Sequence, residues 1–332
     1  MKQVRFTKIL PFYTLTLVIH GLGLLLLVMA GLSSPKFWGL GVLAYTLGLR
    51  HAFDADHISA IDNTVRRLLN QAKPAYGVGW YFSIGHSTVV FLMIVAVRYS
   101  LGWAKNELVT LNTIGGKVGT WVSGTFLLLI SLSSFLILGT LIRRQRLSRK
   151  KLSQSQMDTL LLSRGPLSRL LMPLFKWIRH DWQMYFIGFI FGLGFDTASE
   201  IAMIALSAVT VSQNTIVYGL FALPILFAAG MNLMDTIDST MMLYAYSWAF
   251  DTPEKKLSYN IVMTSISATT AFGIGVFELL QVVRLPHPIE KWVATIDLGW
   301  LGYGLVAFFA IFWLIAYLYW NRRINPTSRL NS

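Results

Sequence analysis

Eight apolar runs, each long enough to cross a bilayer, divide this sequence and restrict its fold to a bundle of membrane helices. A span of hydrocarbon takes about 20 residues as a helix. Inside it an α-helix satisfies every backbone N–H and C=O within the segment. They cover roughly 10–32, 37–62, 76–100, 119–142, 182–211, 216–245, 259–283 and 298–320. The expected fold is all-α: one polytopic membrane domain over 1–332 with eight transmembrane helices. The first run shows no small-residue cleavage site and reads as a span.

Charge gives the orientation. The 332 residues carry a formal charge of +13, but the basic residues lie mostly between the apolar runs rather than on a nucleic-acid-binding face. With the N-terminus inside, the segments 1–9, 63–75, 143–181, 251–258 and 321–332 hold 21 of the 28 Lys and Arg residues. The positive-inside rule therefore predicts that both termini face the cytoplasm of a multi-pass plasma-membrane protein. The long segment 143–181 reads as a basic cytoplasmic loop. Its charge reads as topogenic, placed near anionic lipid.

Within the second run lies Arg50-His51-Ala52-Phe53-Asp54-Ala55-Asp56-His57. An Asp at the centre of a bilayer costs about 2.5–3.5 kcal/mol on insertion scales, so buried ionisable groups mark function. Two histidines and two aspartates together are a metal-ligand set. The chain has no cysteine, which leaves imidazole, carboxylate and amide ligands. These suit nickel, cobalt or manganese. In a regular helix His51, Asp54 and His57 fall within an arc of about 120°, whereas Asp56 points about 140° from His51. Either Asp56 orients a histidine from behind the site or the helix is distorted. Asp62 returns to the His51 face and would line an exit.

Three more runs carry polar groups. His86 lies near mid-span among Ser83, Gly85, Ser87 and Thr88. Asp196 and Glu200 share a face of the fifth run at i, i+4. Asn232, Asp235 and Asp238 form a stripe on the sixth at i, i+3, i+6. The second, fifth and sixth runs together hold seven of the 15 acidic residues, too many for plain lipid-facing spans. A lone histidine such as His20 reads as a helix–helix hydrogen bond. Gly188, Gly192 and Gly194 suit either close packing or local unwinding. Trp80, Trp182, Trp300 and Trp320 read as interface anchors.

An internal echo links the halves. Gly48-Leu49 leads into Phe53-Asp54-Ala55-Asp56, and Gly192-Leu193 leads into Phe195-Asp196-Thr197-Ala198. Phe82-Ser83-Ile84-Gly85-His86 matches Phe227-Ala228-Ala229-Gly230-Met231. An offset of three helices predicts an inverted repeat, helices 1–3 against 4–6, with its site near the midplane.

The run from Arg50 to Ile58 resembles the second-helix motif of the nickel/cobalt transporter (NiCoT) family, in which His51, Asp56 and His57 are the matching residues. Phe82 to Thr88, Leu193 to Glu200 and Gly230 to Asp238 resemble the family's blocks in helices 3, 5 and 6, with Ser199 in place of an expected Thr. The resemblance implies a permease rather than an enzyme, with secondary-active uptake of Ni²⁺ or Co²⁺ as substrate and no cofactor. It places His51, Asp56, His57 and His86 on the substrate path. Asp54, Asp196, Glu200, Asn232, Asp235 and Asp238 join them as candidates. Imidazole ligands would favour nickel and cobalt over magnesium or calcium, and affinity would fall as the histidines protonate. The expected partners are the metal ion and the bilayer. No Walker A sequence is evident, so no ATPase subunit is implied. The alternative is an intramembrane metalloenzyme or metal-sensing accessory protein using the same residues. It lacks a His-Glu-x-x-His run or repeated histidine boxes.

Overall fold

The computed structural model describes residues 6–71, 73–99, 104–149, 178–193, 217–249, 253–283 and 299–324. All regular structure among them is helical. The elements are α1 (Phe6–Ser33), α2 (Lys36–His51), α3 (Ala55–Asn70), α4 (Val78–Tyr99), α5 (Ala104–Arg149), a 3₁₀ turn (Asp181–Gln183), α6 (Met184–Phe191), α7 (Val217–Ala249), α8 (Pro253–Val282) and α9 (Gly299–Ile324). Among the described residues, four stretches are long and apolar enough to cross a membrane: Phe6–Ser33, Thr120–Arg143, Tyr218–Ser247 and Ile261–Val282. Leu17, Val18, Leu24 and Leu25 of α1 and Ile311 and Ile315 of α9 are exposed. Apolar surface of that extent is at home in lipid.

The second predicted run is not one helix, and its end is not at residue 62. It divides into α2 and α3 at Ala52-Phe53-Asp54, and α3 continues to Asn70. Positions 63–70, expected in a cytoplasmic loop, are therefore helical, and Arg66 and Arg67 are buried. The local sequence explains the break. Arg50 and His51 occupy the last turn of α2, Asp54 is the N-cap of α3, and Asp56 lies in its first turn. Basic groups suit a helix C-terminus and acidic ones an N-terminus, so this run carries the charge pattern of one helix ending and another beginning. The backbone tightens through Phe53 N–H to Arg50 O and Asp54 N–H to His51 O. It then extends at Asp54, with φ −63° and ψ 140°.

Glycines allow helices to touch backbone to backbone, Gly48, Gly230, Gly188 and Gly85 among them. A side chain at Gly48 would overlap the Phe227 carbonyl, and one at Gly230 would crowd that of Tyr45, so α2 lies directly on α7. Gly188 meets the Phe82 carbonyl and Gly85 that of Tyr185, so α4 lies in the same way on α6. These contacts support the packing reading of Gly188, and Gly192 likewise faces His86 O and Val89. Helices α5 and α8 pair through Gly124 and Gly275. Helix α3 packs against α5, α7, α8 and α9. It places the break at the junction of the bundle.

Candidate metal site

The break brings together what a straight helix would hold apart. Six residues of helix rise about 9 Å, too far for His51 and His57 to share an ion even on one face. Across the break their ring centroids are 4.7 Å apart, and His86 of α4 lies 4.8 Å from each. One ligand nitrogen from each of the three rings falls within 4.8 Å of the others, and all three residues are buried. His51 Nε2 and His86 Nε2 are 3.1 Å apart. Two imidazoles at right angles around an ion with bonds of about 2.1 Å stand about 3.0 Å apart, and opposed ones about 4.2 Å. A slight closure would fit the trio to one ion.

Neither ring nitrogen of His57 has a hydrogen-bond partner, although the residue is 1% exposed. Buried polar atoms are normally satisfied, so a lone pair left in this pocket is available to a metal. Phe82 meets the His57 ring edge-on at 4.8 Å, and Phe227 lies 5.8 Å from His51. Their rings exclude water on two sides.

The acidic residues divide by position. Asp54 Oδ2 is 2.8 Å from His51 Nδ1, which aims Nε2 at the pocket. Asp56 Oδ1 accepts the His57 backbone N–H at 2.9 Å, fixing the first turn of α3. Asp235 of α7 places Oδ1 3.6 Å from His57 Nδ1. The carboxylates of Asp235 and Asp238 are buried without hydrogen-bond partners. Asn232 is turned to other business: its Oδ1 accepts the Thr16 hydroxyl at 2.5 Å and its Nδ2 donates to the Trp80 carbonyl at 3.4 Å. Asp196 and Glu200 lie outside the described residues.

His20 pairs with its neighbours rather than joining the trio. Nδ1 donates to the Thr16 carbonyl at 2.8 Å, which leaves Nε2 to accept from Tyr45 Oη at 3.3 Å. Trp182 and Trp300 are exposed, whereas Trp80 is half-buried against Phe12.

One buried network escaped the sequence reading. Asp62 accepts from Tyr246 of α7 and Ser267 of α8. Arg66 Nη2 donates to Asn63 Oδ1, to Ser134 Oγ of α5 at 3.1 Å and to Ser267 Oγ at 3.2 Å. Arg66 is 2% exposed and Asp62 fully buried. The spacing of Asp62 and Arg66, i and i+4 on one helix, was the available signal. Assigning 63–75 to a loop hid it.

Residues 37–319 match the NicO family, whose description is "High-affinity nickel-transport protein". This chain belongs to the NicO family. Its relatives include the nickel transporter NixA of Staphylococcus aureus, 50% identical over 94% of both chains. The high-affinity nickel-transport protein NixA of Helicobacter pylori is 46% identical over 95% of this chain and 97% of its own. The cobalt transport protein NhlF of Rhodococcus rhodochrous is 37% identical over 85% of this chain and 82% of its own. No solved structure matches. Membership of the NicO family agrees with the resemblance carried by the four sequence blocks, and transport rather than catalysis is the activity that these relatives' names describe.

Proposed function

We propose that this chain is a secondary-active permease for Ni²⁺ or Co²⁺ in the cytoplasmic membrane, with His51, His57 and His86 as the substrate site. The observation that carries the reading is the convergence of three buried imidazoles from α2, α3 and α4. A hydrated dication would exchange waters for these nitrogens. Asp54 would hold the His51 tautomer that offers Nε2, a common role for a carboxylate behind a metal-binding histidine. Asp235 would offset charge beside His57. Asp238, one turn along α7, and Asp62 continue the acidic side of the path inward. Asp196 and Glu200 join it on their i, i+4 spacing, and Asp56 keeps His57 in place. Asn232, bonded to Thr16 and Trp80, serves the path by fixing α7. An inside-negative potential favours entry of a dication by about 4.6 kcal/mol per 100 mV.

The packing supports an inverted repeat of helices 1–3 and 4–6 within eight spans. The contact of Gly48 with the Phe227 carbonyl has a counterpart in that of Gly188 with Phe82. The contact of Gly230 with the Tyr45 carbonyl has one in that of Gly85 with Tyr185. Phe82 and Phe227, and Gly85 and Gly230, are the positions that echo in the sequence, whereas Gly48 pairs here with Gly188, one turn before the Gly192 of the sequence echo. Each partner tyrosine lies three residues before its helix's glycine. Rocking of one repeat against the other would expose the site alternately. The basic segment 143–181 and both termini would lie in the cytoplasm.

The test is uptake of radiolabelled nickel and cobalt by cells expressing the chain, beside a His57→Ala variant. Uptake above vector controls, lost in the variant, is expected. Wild-type uptake equal to the vector's overturns the permease; full uptake by the variant overturns the site.

A further inference from the structure

We infer that α9 acts as a strut for the metal-site break, with Gly302 and Tyr303 as positioning residues for His51 and Asp54. The inference rests on the histidine trio as the substrate site. Residues 50–57 do not close into one continuous helix. The His57 N–H, which would bond the Phe53 carbonyl in such a helix, donates to Asp56 Oδ1 instead. The Phe53 carbonyl turns to α9. There a methyl group at position 302 would overlap its oxygen, and would stand 3.3 Å from Ala55 N. Glycine alone lets the α9 backbone reach this carbonyl, an approach of the kind made by Cα–H···O contacts between helices. Beside it the Tyr303 ring stacks on Phe53, centroids 4.6 Å apart and planes 21° apart.

Phe53 is thus held from two sides by consecutive α9 residues. It lies next to Asp54 and two positions from His51, the pair whose 2.8 Å contact orients the imidazole. Neither Gly302 nor Tyr303 belongs to the trio. Their contribution passes through the backbone at 52–54. Loss of the strut frees the break to relax toward a straight helix, in which His51 and His57 separate along the axis by about 9 Å.

The experiment compares Tyr303→Leu, Tyr303→Phe and Gly302→Ala with the wild-type full chain. Nickel KM and Vmax are measured in cells, and the visible spectrum of added Co²⁺ in purified protein. Tyr303→Leu is expected to raise KM about tenfold, the lower end of effects on metal affinity from residues behind the ligands, with Vmax retained and the cobalt bands shifted. Tyr303→Phe keeps the stacked ring and is expected to match wild type. Gly302→Ala is expected to behave as Tyr303→Leu does; if it fails to fold, the two Tyr303 variants decide. Wild-type KM and cobalt spectrum in Tyr303→Leu overturn the inference, as does a fall in Vmax at constant KM. His57→Ala serves as the reference. If it abolishes the cobalt bands while Tyr303→Leu leaves them unchanged, the strut alone is refuted. If it leaves them unchanged, the site is refuted and the strut with it.

Discussion

Asp54 Oδ2 sits 2.8 Å from His51 Nδ1, and the two residues stand on opposite sides of the break between α2 and α3. The contact ties the end of one helix to the start of the next. It also separates the two aspartates of the motif by task. Asp54 meets an imidazole, whereas Asp56 accepts the backbone N–H of the following histidine.

Asp54→Ala is therefore expected to weaken nickel binding about 10- to 100-fold, the range for loss of a carboxylate behind a metal-binding histidine. Asp54→Asn keeps an oxygen acceptor and should fall between that variant and wild type. Nickel titration of the purified protein distinguishes them. Equal affinities for all three would show that His51 needs no orienting partner.

His86 lies 35 positions from His51 in sequence, yet the Nε2 atoms are 3.1 Å apart. Removing it takes away one of the three proposed ligands and leaves the helix break intact. His86→Ala is expected to reduce uptake of nickel and cobalt to the vector level while the protein still reaches the membrane. Immunoblotting of membranes alongside uptake checks both halves of that statement.

How much of this was open to the sequence differs from residue to residue. The histidines could be named because an imidazole in an apolar run is rare and expensive. His86 could be set beside His51 only through the family resemblance, since periodicity relates residues within one helix and says nothing of distance between two. The arc that joined His51, Asp54 and His57 respected angle and neglected rise, so it could not show that a break was required. The change of charge sign from Arg50-His51 to Asp54-Asp56 carried that information. Arg66 was misplaced because its charge argued for a loop. Only the tertiary partners Ser134 and Ser267, from helices distant in sequence, show how a guanidinium is kept inside.

The Arg66 network yields a stability prediction. Asp62 and the Arg66 guanidinium share the Ser267 hydroxyl, and removing one member of a buried hydrogen-bonded network that includes a charge costs about 1–3 kcal/mol or more. Asp62→Ala is expected to lower the thermal unfolding temperature of the detergent-solubilised protein markedly. The double variant Asp62→Ala/Arg66→Met should recover much of the loss, because no uncompensated charge remains. A double variant less stable than Asp62→Ala would refute the coupling.

Gly85 and Gly21 are both helical glycines with opposite surroundings. A side chain at Gly85 would overlap the Tyr185 carbonyl, while nothing lies within 4 Å of one at Gly21. Overpacking of this kind costs about 1–3 kcal/mol or more, and it would push apart α4 and α6 one residue from His86. Gly85→Ala is expected to lose both stability and uptake. Gly21→Ala is expected to be neutral or slightly stabilising, since alanine is the better helix former by about 1 kcal/mol. Unfolding and uptake measured on both variants test the close approach directly.

Asn232 and Asp235 sit one turn apart on α7 and should fail in different ways. Asn232 bonds Thr16 of α1 and the Trp80 carbonyl of α4, so it ties three helices together. Asp235 faces His57 at 3.6 Å with no hydrogen-bond partner for its carboxylate. Asn232→Ala removes both ties, although the Thr16 hydroxyl keeps the Phe12 carbonyl at 2.9 Å as an acceptor; at a net value of about 0.5–1.5 kcal/mol per hydrogen bond, the variant is expected to lower the unfolding temperature while nickel affinity stays near wild type. Asp235→Asn removes the negative charge beside the site without changing side-chain size. It is expected to weaken nickel binding at least tenfold with little loss of stability, since a buried carboxylate with no donor contributes nothing to the fold that its amide cannot. Titration and thermal unfolding of both variants separate the roles. An Asn232→Ala protein that is fully stable but binds nickel weakly would move Asn232 from the scaffold to the ion path.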